Sequence, residues 1–298
     1  MAALLRRPVR AIDAETRLCA VIGHPVRHSL SPQIHNAAFE AAGLNYAYLA
    51  FEVKDLAGCL SGLRSMDGFR GLSVTIPHKE AVIPLLDEVD PVARRIGSVN
   101  TITRDEQGRL SGRSTDGPGT LRAFEDSGVP LAGKRVLFLG AGGAVRAVAF
   151  AMMELAGVGQ ITLLGRTAAK VERLAGDLRA VESSCAIGTG AINEGLREAV
   201  SGHDVIVNGT PMGMYPEYIG RTLVDSGMLK PEHTVFDMVY RPLETRLVTE
   251  ARAAGAKVIS GLDMLVNQAA LQFEHWTGVD APRRAIWDAA LTALGTGR

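Results

Sequence analysis

One stretch constrains this chain more than any other. KRVLFLGAGGAVRAVAFAMMELAG (residues 134–157) runs from a continuous apolar segment, through a glycine cluster, into a long apolar segment. A buried strand, a tight turn and a helix are the elements this pattern selects. Gly140, Gly142 and Gly143 let the backbone bend sharply and come close to a pyrophosphate, which the free N–H groups of the helix N-terminus then bind. Val145 stands where the usual fingerprint has its third Gly or Ala, so the turn is a variant. The plainer reading of the same glycines is a tight packing turn.

The next strand, ITLLG, ends in Arg166-Thr167, with Lys170 close behind. A site for NAD places a carboxylate here, to accept from the ribose 2′-hydroxyl; none is present. Arg166, Thr167 and Lys170 instead form a cationic, donor-rich pocket suited to a 2′-phosphate, so the expected cofactor is NADP. The competing reading makes Arg166 a solvated surface charge.

Strand-like and helical runs alternate almost throughout. RLCAVIG, PQIHNAAFEAAG and YAYLAFEV are followed by a helix near 55–66, then GLSVTIPHKEA and SVNTIT. After a helix at 119–127, KRVLFLG opens a second βα series that continues through ITLLGR, HDVIVNG and HTVFDMVY to AKVISG, with a helical tail from Leu262. Such alternation predicts parallel sheets with helices on their faces. The Gly/Ser/Thr cluster GRSTDGPG (112–119) is the expected domain boundary, and a chain of 298 residues is long enough for two domains.

Composition narrows the function classes. Lys+Arg equals Asp+Glu, which gives no electrostatic argument for nucleic acid or an anionic membrane. No stretch approaches a membrane-spanning length. MAALLRRPVRAIDAETR has a basic pair but no apolar core of the secretory kind. Cys19, Cys59 and Cys185 are isolated, which predicts reduced structural thiols rather than disulfides or a metal site. The expectation is a soluble cytoplasmic protein.

In GLSVTIPHKEA, Leu72, Val74 and Ile76 alternate with Ser73 and Thr75, as in a half-buried strand. Pro77 ends the strand, since it cannot donate to the ladder. Lys79 then lies near the start of an expected helix, where the dipole disfavours a cation. A lysine so placed, in a desolvated cleft, suits general acid/base work. His78 is the alternative, because imidazole titrates near neutrality. The local pattern does not choose between them.

HSLSPQIHNAAFEAAG predicts a helix with Ser31 as N-cap and Pro32 at its first position. Ser29 and Ser31 then set two hydroxyls at the positive end of a helix, suited to a carboxylate. His28 and His35 lack metal-ligand spacing and read as structural or surface residues.

SLSPQIHN, GLSVTIPHK, GSVNT, STDG, GAGGAVRA, NGTPMGM, DMVY and GLDMLVNQA occur in the order and spacing of the shikimate dehydrogenase family. The resemblance covers nearly the whole chain after about Arg17. It implies an α/β fold with an N-terminal α/β substrate domain (1–116) and a Rossmann-type doubly wound NADP domain (117–261). The C-terminal helices (262–298) return to the first domain, with the active site in the cleft between domains.

By the same resemblance Lys79 and Asp116 are the catalytic pair. Ser29 and Ser31 hold the substrate carboxylate with Tyr240, while Thr75, Asn100, Asp116 and Gln268 contact the ring hydroxyls and carbonyl. Gly140, Ala141, Gly142, Gly143 and Ala144 cradle the pyrophosphate. Arg166, Thr167 and Lys170 take the 2′-phosphate, and Met238 and Gly261 lie along the nicotinamide. The implied activity is reversible NADPH-dependent reduction of 3-dehydroshikimate to shikimate, in chorismate and aromatic amino acid biosynthesis. Quinate/shikimate and aminoshikimate dehydrogenases share these motifs, and a non-catalytic NADP-binding sensor is the rival from another class. No metal is expected, and a homodimer is allowed for. Three positions depart from the commoner pattern: Ser73 and Ser114 stand in place of Asn, and Gly165 in place of the Asn before Arg-Thr.

Overall fold

The computed structural model describes residues 12–295, so the first eleven residues of the N-terminal segment lie outside the described residues. Contacts divide the chain into two compact units. One runs up to Arg113 and resumes at Ala269; the other is Ser114–Gln268. The sequence reading placed the divisions after 116 and after 261.

The first unit begins with β1 (Arg17–Gly23), α1 (Ser31–Ala41), β2 (Tyr46–Glu52) and α2 (Leu56–Arg64). It continues with β3 (Phe69–Val74), α3 (His78–Ala81), β4 (Glu88–Val89), α4 (Pro91–Ile96), β5 (Thr101–Arg104) and β6 (Leu110–Arg113). Its sheet has the order β2-β1-β3-β5-β6-β4. β1 pairs in parallel with β2 and β3, whereas β5 runs antiparallel to both β3 and β6. The sheet is therefore mixed, a correction to the purely parallel expectation. The connection from β5 to β6 is a short turn through Gly108 (φ +79°), which only an antiparallel pair accommodates.

Helix starts follow local chemistry where a cap is present. Asp55 caps α2 by accepting from Gly58 N–H, and Asp90 caps α4 ahead of Pro91. α1 corrects the expectation: its N-cap is Leu30, without a side-chain cap bond, and Ser31 is already its first residue. Ser29 does the local bracing instead, accepting from Ser31 N–H at 3.2 Å. The segment after Pro77 is also shorter than its apolar run suggested. α3 is a single turn, followed by a 3₁₀ turn at Ile83–Leu85.

The second unit opens with α5 (Asp116–Asp126) and β7 (Arg135–Leu139), then α6 (Gly143–Glu154), β8 (Gln160–Gly165) and α7 (Ala168–Arg179). β9 (Ala186–Ala191), α8 (Leu196–Ser201), β10 (Val205–Asn208), β11 (Thr234–Asp237), α9 (Arg246–Ala253) and β12 (Lys257–Ser260) follow. The sheet order β12-β11-β10-β7-β8-β9 is all parallel. Counted from β7 as the first strand, this is the 3-2-1-4-5-6 order of a dinucleotide-binding fold. β9 escaped the sequence reading because AIGTGA carries no apolar alternation at its edge position.

The division between Arg113 and Ser114 falls inside GRSTDGPG, where Arg113 closes β6 and Asp116 opens α5. The cluster's glycines serve packing. A Cβ on Gly117 would come 2.5 Å from Ala151 Cβ on α6. The other division between units falls inside α10 (Gly261–Thr277), which α11 (Arg283–Ala293) follows. Within the first unit α11 packs on α1, and Trp276 of α10 donates from its indole to Ile102 O at 3.0 Å. Gly71 in the middle of β3 makes room for that indole, since a Cβ there would meet it at 2.1 Å.

Candidate functional site

In the first unit, five of the expected residues gather around the C-terminal end of β3. Val74 donates its N–H to Asn100 O at 2.8 Å, and Val99 donates to Lys79 O at 2.9 Å. Thr75, Lys79 and Asn100 are thus tied to one another through main-chain bonds. Thr75 and Lys79 are half-buried, while Asn100 is 1% exposed. His78 N–H reaches back to Thr75 O, closing the turn that carries Lys79. His78 itself is buried, and its Nε2 lies 2.8 Å from Val53 O. A ring nitrogen facing a carbonyl must donate, so this imidazole is a brace. Since α3 is one turn long, a macrodipole acting on Lys79 is not part of the explanation.

Ser29 and Ser31 are half-buried, with Ser29 Oγ donating to Ser31 Oγ at 3.0 Å. Ser31 reaches the Tyr48 hydroxyl, which in turn donates to Ser73 Oγ at 2.6 Å. Burial pushes the Tyr48 phenol well up, and the two hydroxyl partners only partly offset it. His35 is fully buried, stacked on Tyr48 with ring centroids 4.5 Å apart. Desolvation lowers its pKa to about 3, so the ring is neutral. Tyr48, Gln272 and Thr101 were missed from sequence, because nothing in a local pattern joins β2 and β3 to the C-terminal helix.

The second unit contains Asp116, Gln268, Tyr240 and the whole nucleotide turn. Asp116 opens α5 and is 3% exposed. A Cβ on Gly119 would lie 2.7 Å from Gln268 N, so α5 and α10 meet backbone to backbone beside Gln268. Ser114 lies just before α5; its hydroxyl is shielded and makes no hydrogen bond among the described residues. Tyr240 is half-buried, and desolvation raises its phenol. Gly261 packs on Met238, with Met238 O only 2.5 Å from where a Cβ would stand.

Another group missed from sequence holds the loops at this end of the second sheet. Asp237 is fully buried and accepts from Thr245 Oγ1 at 2.6 Å, Asn208 Nδ2 at 2.9 Å and Val239 N–H at 3.1 Å. Desolvation raises its carboxyl against these three donors. Asn208 Oδ1 also accepts from Thr210 Oγ1 at 2.6 Å, which folds the NGTPMGM turn. Met238 N–H goes to Asn208 O, placing Met238 beside that turn.

The glycine turn fits a dinucleotide. Gly140 has φ +108°, and a Cβ there would press on Gly209 O at 3.0 Å. Gly142 is the N-cap of the 12-residue α6 and has no side-chain cap bond. At Gly142 and Gly143 the space a Cβ would take is open, and both are exposed with Ala144. First-turn N–H groups facing open space at a helix N-terminus are what a pyrophosphate needs. Ala141 lies between them, half-buried. Arg166, Thr167 and Lys170 are all exposed at the end of β8, and no carboxylate engages either cation among the described residues. Thr167 is the N-cap of α7 without a side-chain cap bond, which keeps its hydroxyl available. Gly165 has a steric reason: a Cβ would meet Val171 Cγ2 at 2.6 Å.

The described residues hold no cluster of His, Cys, Asp or Glu that could bind a metal ion. The three cysteines are free thiols. No helix among the described residues is long and apolar enough to cross a membrane.

Comparison with known proteins shows what the chain is similar to. Residues 21–102 match the shikimate dehydrogenase substrate binding domain, and residues 261–291 match the shikimate 5′-dehydrogenase C-terminal domain. A shikimate dehydrogenase (NADP(+)) of Moorella thermoacetica is 49% identical over 91% of this chain and 91% of its own. The shikimate 5-dehydrogenase of Listeria monocytogenes, solved with shikimate and NAD, superposes with a TM-score of 0.87 at 37% identity, covering 93% of this chain and 97% of that one. The Thermus thermophilus enzyme, solved with NADP(H) and shikimate, has a TM-score of 0.81 at 40% identity, covering 93% and 100%.

Proposed function

The chain belongs to the shikimate dehydrogenase family, and from that premise we propose that it catalyses the reversible NADPH-dependent reduction of 3-dehydroshikimate to shikimate. It is an NADP-dependent oxidoreductase of aromatic amino acid biosynthesis. The reading extends to a cytoplasmic location and a homodimer, which cell fractionation and sedimentation would test.

NADPH, when bound, supplies the hydride. The chain's own residues do the rest. Gly140, Ala141, Gly142, Gly143 and Ala144 would hold the pyrophosphate, Arg166, Thr167 and Lys170 the 2′-phosphate, and Met238 and Gly261 the nicotinamide end. Ser29, Ser31 and Tyr240 bind the substrate carboxylate; Thr75, Asn100, Asp116 and Gln268 bind the ring oxygens. Lys79 supplies a proton to the oxygen that becomes a hydroxyl, and its charge stabilises that oxygen as negative charge develops. Asp116 works with Lys79 by keeping the ammonium oriented.

One observation carries the choice of proton donor. His78 is buried and spent on Val53 O, while Lys79, one residue on, is half-buried with its main chain tied beside Asn100. The test is an initial-rate panel of shikimate, quinate and aminoshikimate against NADP and NAD. Shikimate with NADP should give the highest kcat/KM. A higher value for quinate with NAD would replace this reading.

A further inference from the structure

Gln272 of α10 is 2% exposed, and its amide can face only one way. Its nitrogen lies 3.2 Å from Asn100 O, a main-chain carbonyl with no proton to give, and 3.0 Å from Thr101 Oγ1. The amide oxygen therefore faces Ser73 Oγ at 3.0 Å and His35 Nε2 at 3.3 Å, and both must donate to it. His35 is consequently the Nε2–H tautomer, which leaves its Nδ1 the buried atom with no hydrogen bond.

The remaining directions follow link by link. Ser73 gives its proton to Gln272, so it accepts from Tyr48 at 2.6 Å. Tyr48 gives its proton to Ser73, so in its pairing with Ser31 it accepts. On the other side Thr101 receives from Gln272 and donates to Asn100 Oδ1 at 2.7 Å, which turns the Asn100 NH₂ the opposite way. Ser73 suits this chain because a hydroxyl accepts and donates through one atom.

We propose that Gln272 is a positioning residue for the substrate. Through Thr101 it fixes the orientation of the Asn100 amide, so one buried side chain sets the donor pattern at the ring-oxygen end. The proposal rests on the reading of Asn100 as a substrate ligand.

Calorimetric titration of shikimate and of NADP⁺ separately, with steady-state kinetics, tests it on Gln272→Leu and Gln272→Glu beside Asn100→Ala. Gln272→Leu should weaken shikimate roughly 3- to 10-fold in Kd and KM, as for one lost neutral hydrogen bond. Its Kd for NADP⁺ should stay within about 2-fold, and kcat should fall less than KM rises. Asn100 O keeps its bond from Val74 N–H in this variant, so no carbonyl is orphaned.

Gln272→Glu should regain shikimate affinity as pH falls through the new carboxyl, because only the protonated acid can donate toward Thr101. Wild-type affinity in a folded Gln272→Leu would overturn the proposal. So would an equal loss for both ligands together with a flat pH response in Gln272→Glu. Should the leucine variant not fold, the pH response of the glutamate variant decides alone. If Asn100→Ala binds shikimate like wild type, the underlying site reading falls, whatever Gln272 does.

Discussion

Gly209 lies directly against Val145: a Cβ on Gly209 would stand 2.0 Å from Val145 Cγ2. The dinucleotide turn of this chain has Val where a small residue usually lets helix and strand approach. The small residue has moved to the facing loop after β10, and the close approach is kept. Gly209→Ala should destabilise by about 1–3 kcal/mol through overpacking. In a Val145→Ala background the same change should be milder, with a coupling of at least about 0.5 kcal/mol. Urea denaturation of the four variants measures this, and additive effects would show that the contact does not matter.

Lys79→Ala should lower kcat by roughly 10²–10⁴-fold, the usual range for one positioned acid or base, with a smaller change in KM. His78→Ala should instead lower stability by about 1–2 kcal/mol, through its lost bond to Val53 O, and leave kcat within a few-fold. Kinetics and unfolding of the two variants separate the roles. A dead histidine variant beside an active lysine variant would reverse them.

Arg166→Ala should erase most of the preference for NADP over NAD. Both cationic groups at the end of β8 are exposed, so solvent screens them, and the preference expected is roughly 10- to 150-fold in kcat/KM. The variant should lose this through NADP, leaving NAD nearly unchanged. An equal loss for both cofactors would remove Arg166 from the 2′-phosphate role.

Acid should destabilise the first unit through His35. Burial lowers its folded pKa from 6.5 to about 3, so below pH 6.5 the unfolded chain binds a proton that the folded chain refuses. Stability is therefore fully present above about pH 6.5 and is lost progressively as pH falls toward 3. At pH 5 the loss from this one group is about 2 kcal/mol. Denaturant melts of wild type and His35→Gln between pH 7 and 5 should diverge by that amount. Parallel curves would show that His35 is not the acid-sensitive group.

Asp204 acts in a lower window. Its hydrogen bond and ion pair with Arg135, at 2.9 Å, hold the carboxyl down at about 2 from 3.8. The stabilisation is present above pH 3.8 and disappears as pH falls through 2. Asp204→Asn should flatten that part of the pH–stability curve without altering the part near neutrality.

Local patterns determined much of this protein. The apolar run KRVLFLG with its glycines and following helix could make only one unit, because strand, turn and helix each depend on residues a few positions apart. The exposed cations after ITLLG were legible for the same reason, as was the helix near 55–66. Tertiary structure decided the rest. Whether β5 runs with or against β3 depends on which neighbour each strand finds, and period-2 alternation is identical in both cases. Gly117 is required by Ala151 of α6, a contact that the local pattern does not encode. His78 is tied to Val53 O, a partner that no periodicity links to it. The polar chain from Ser31 to Asn100 runs through Ser73 and Gln272, which are 199 positions apart. A hydrogen bond across such a distance exists only once the core has closed around it, and there desolvation obliges every donor to find its acceptor.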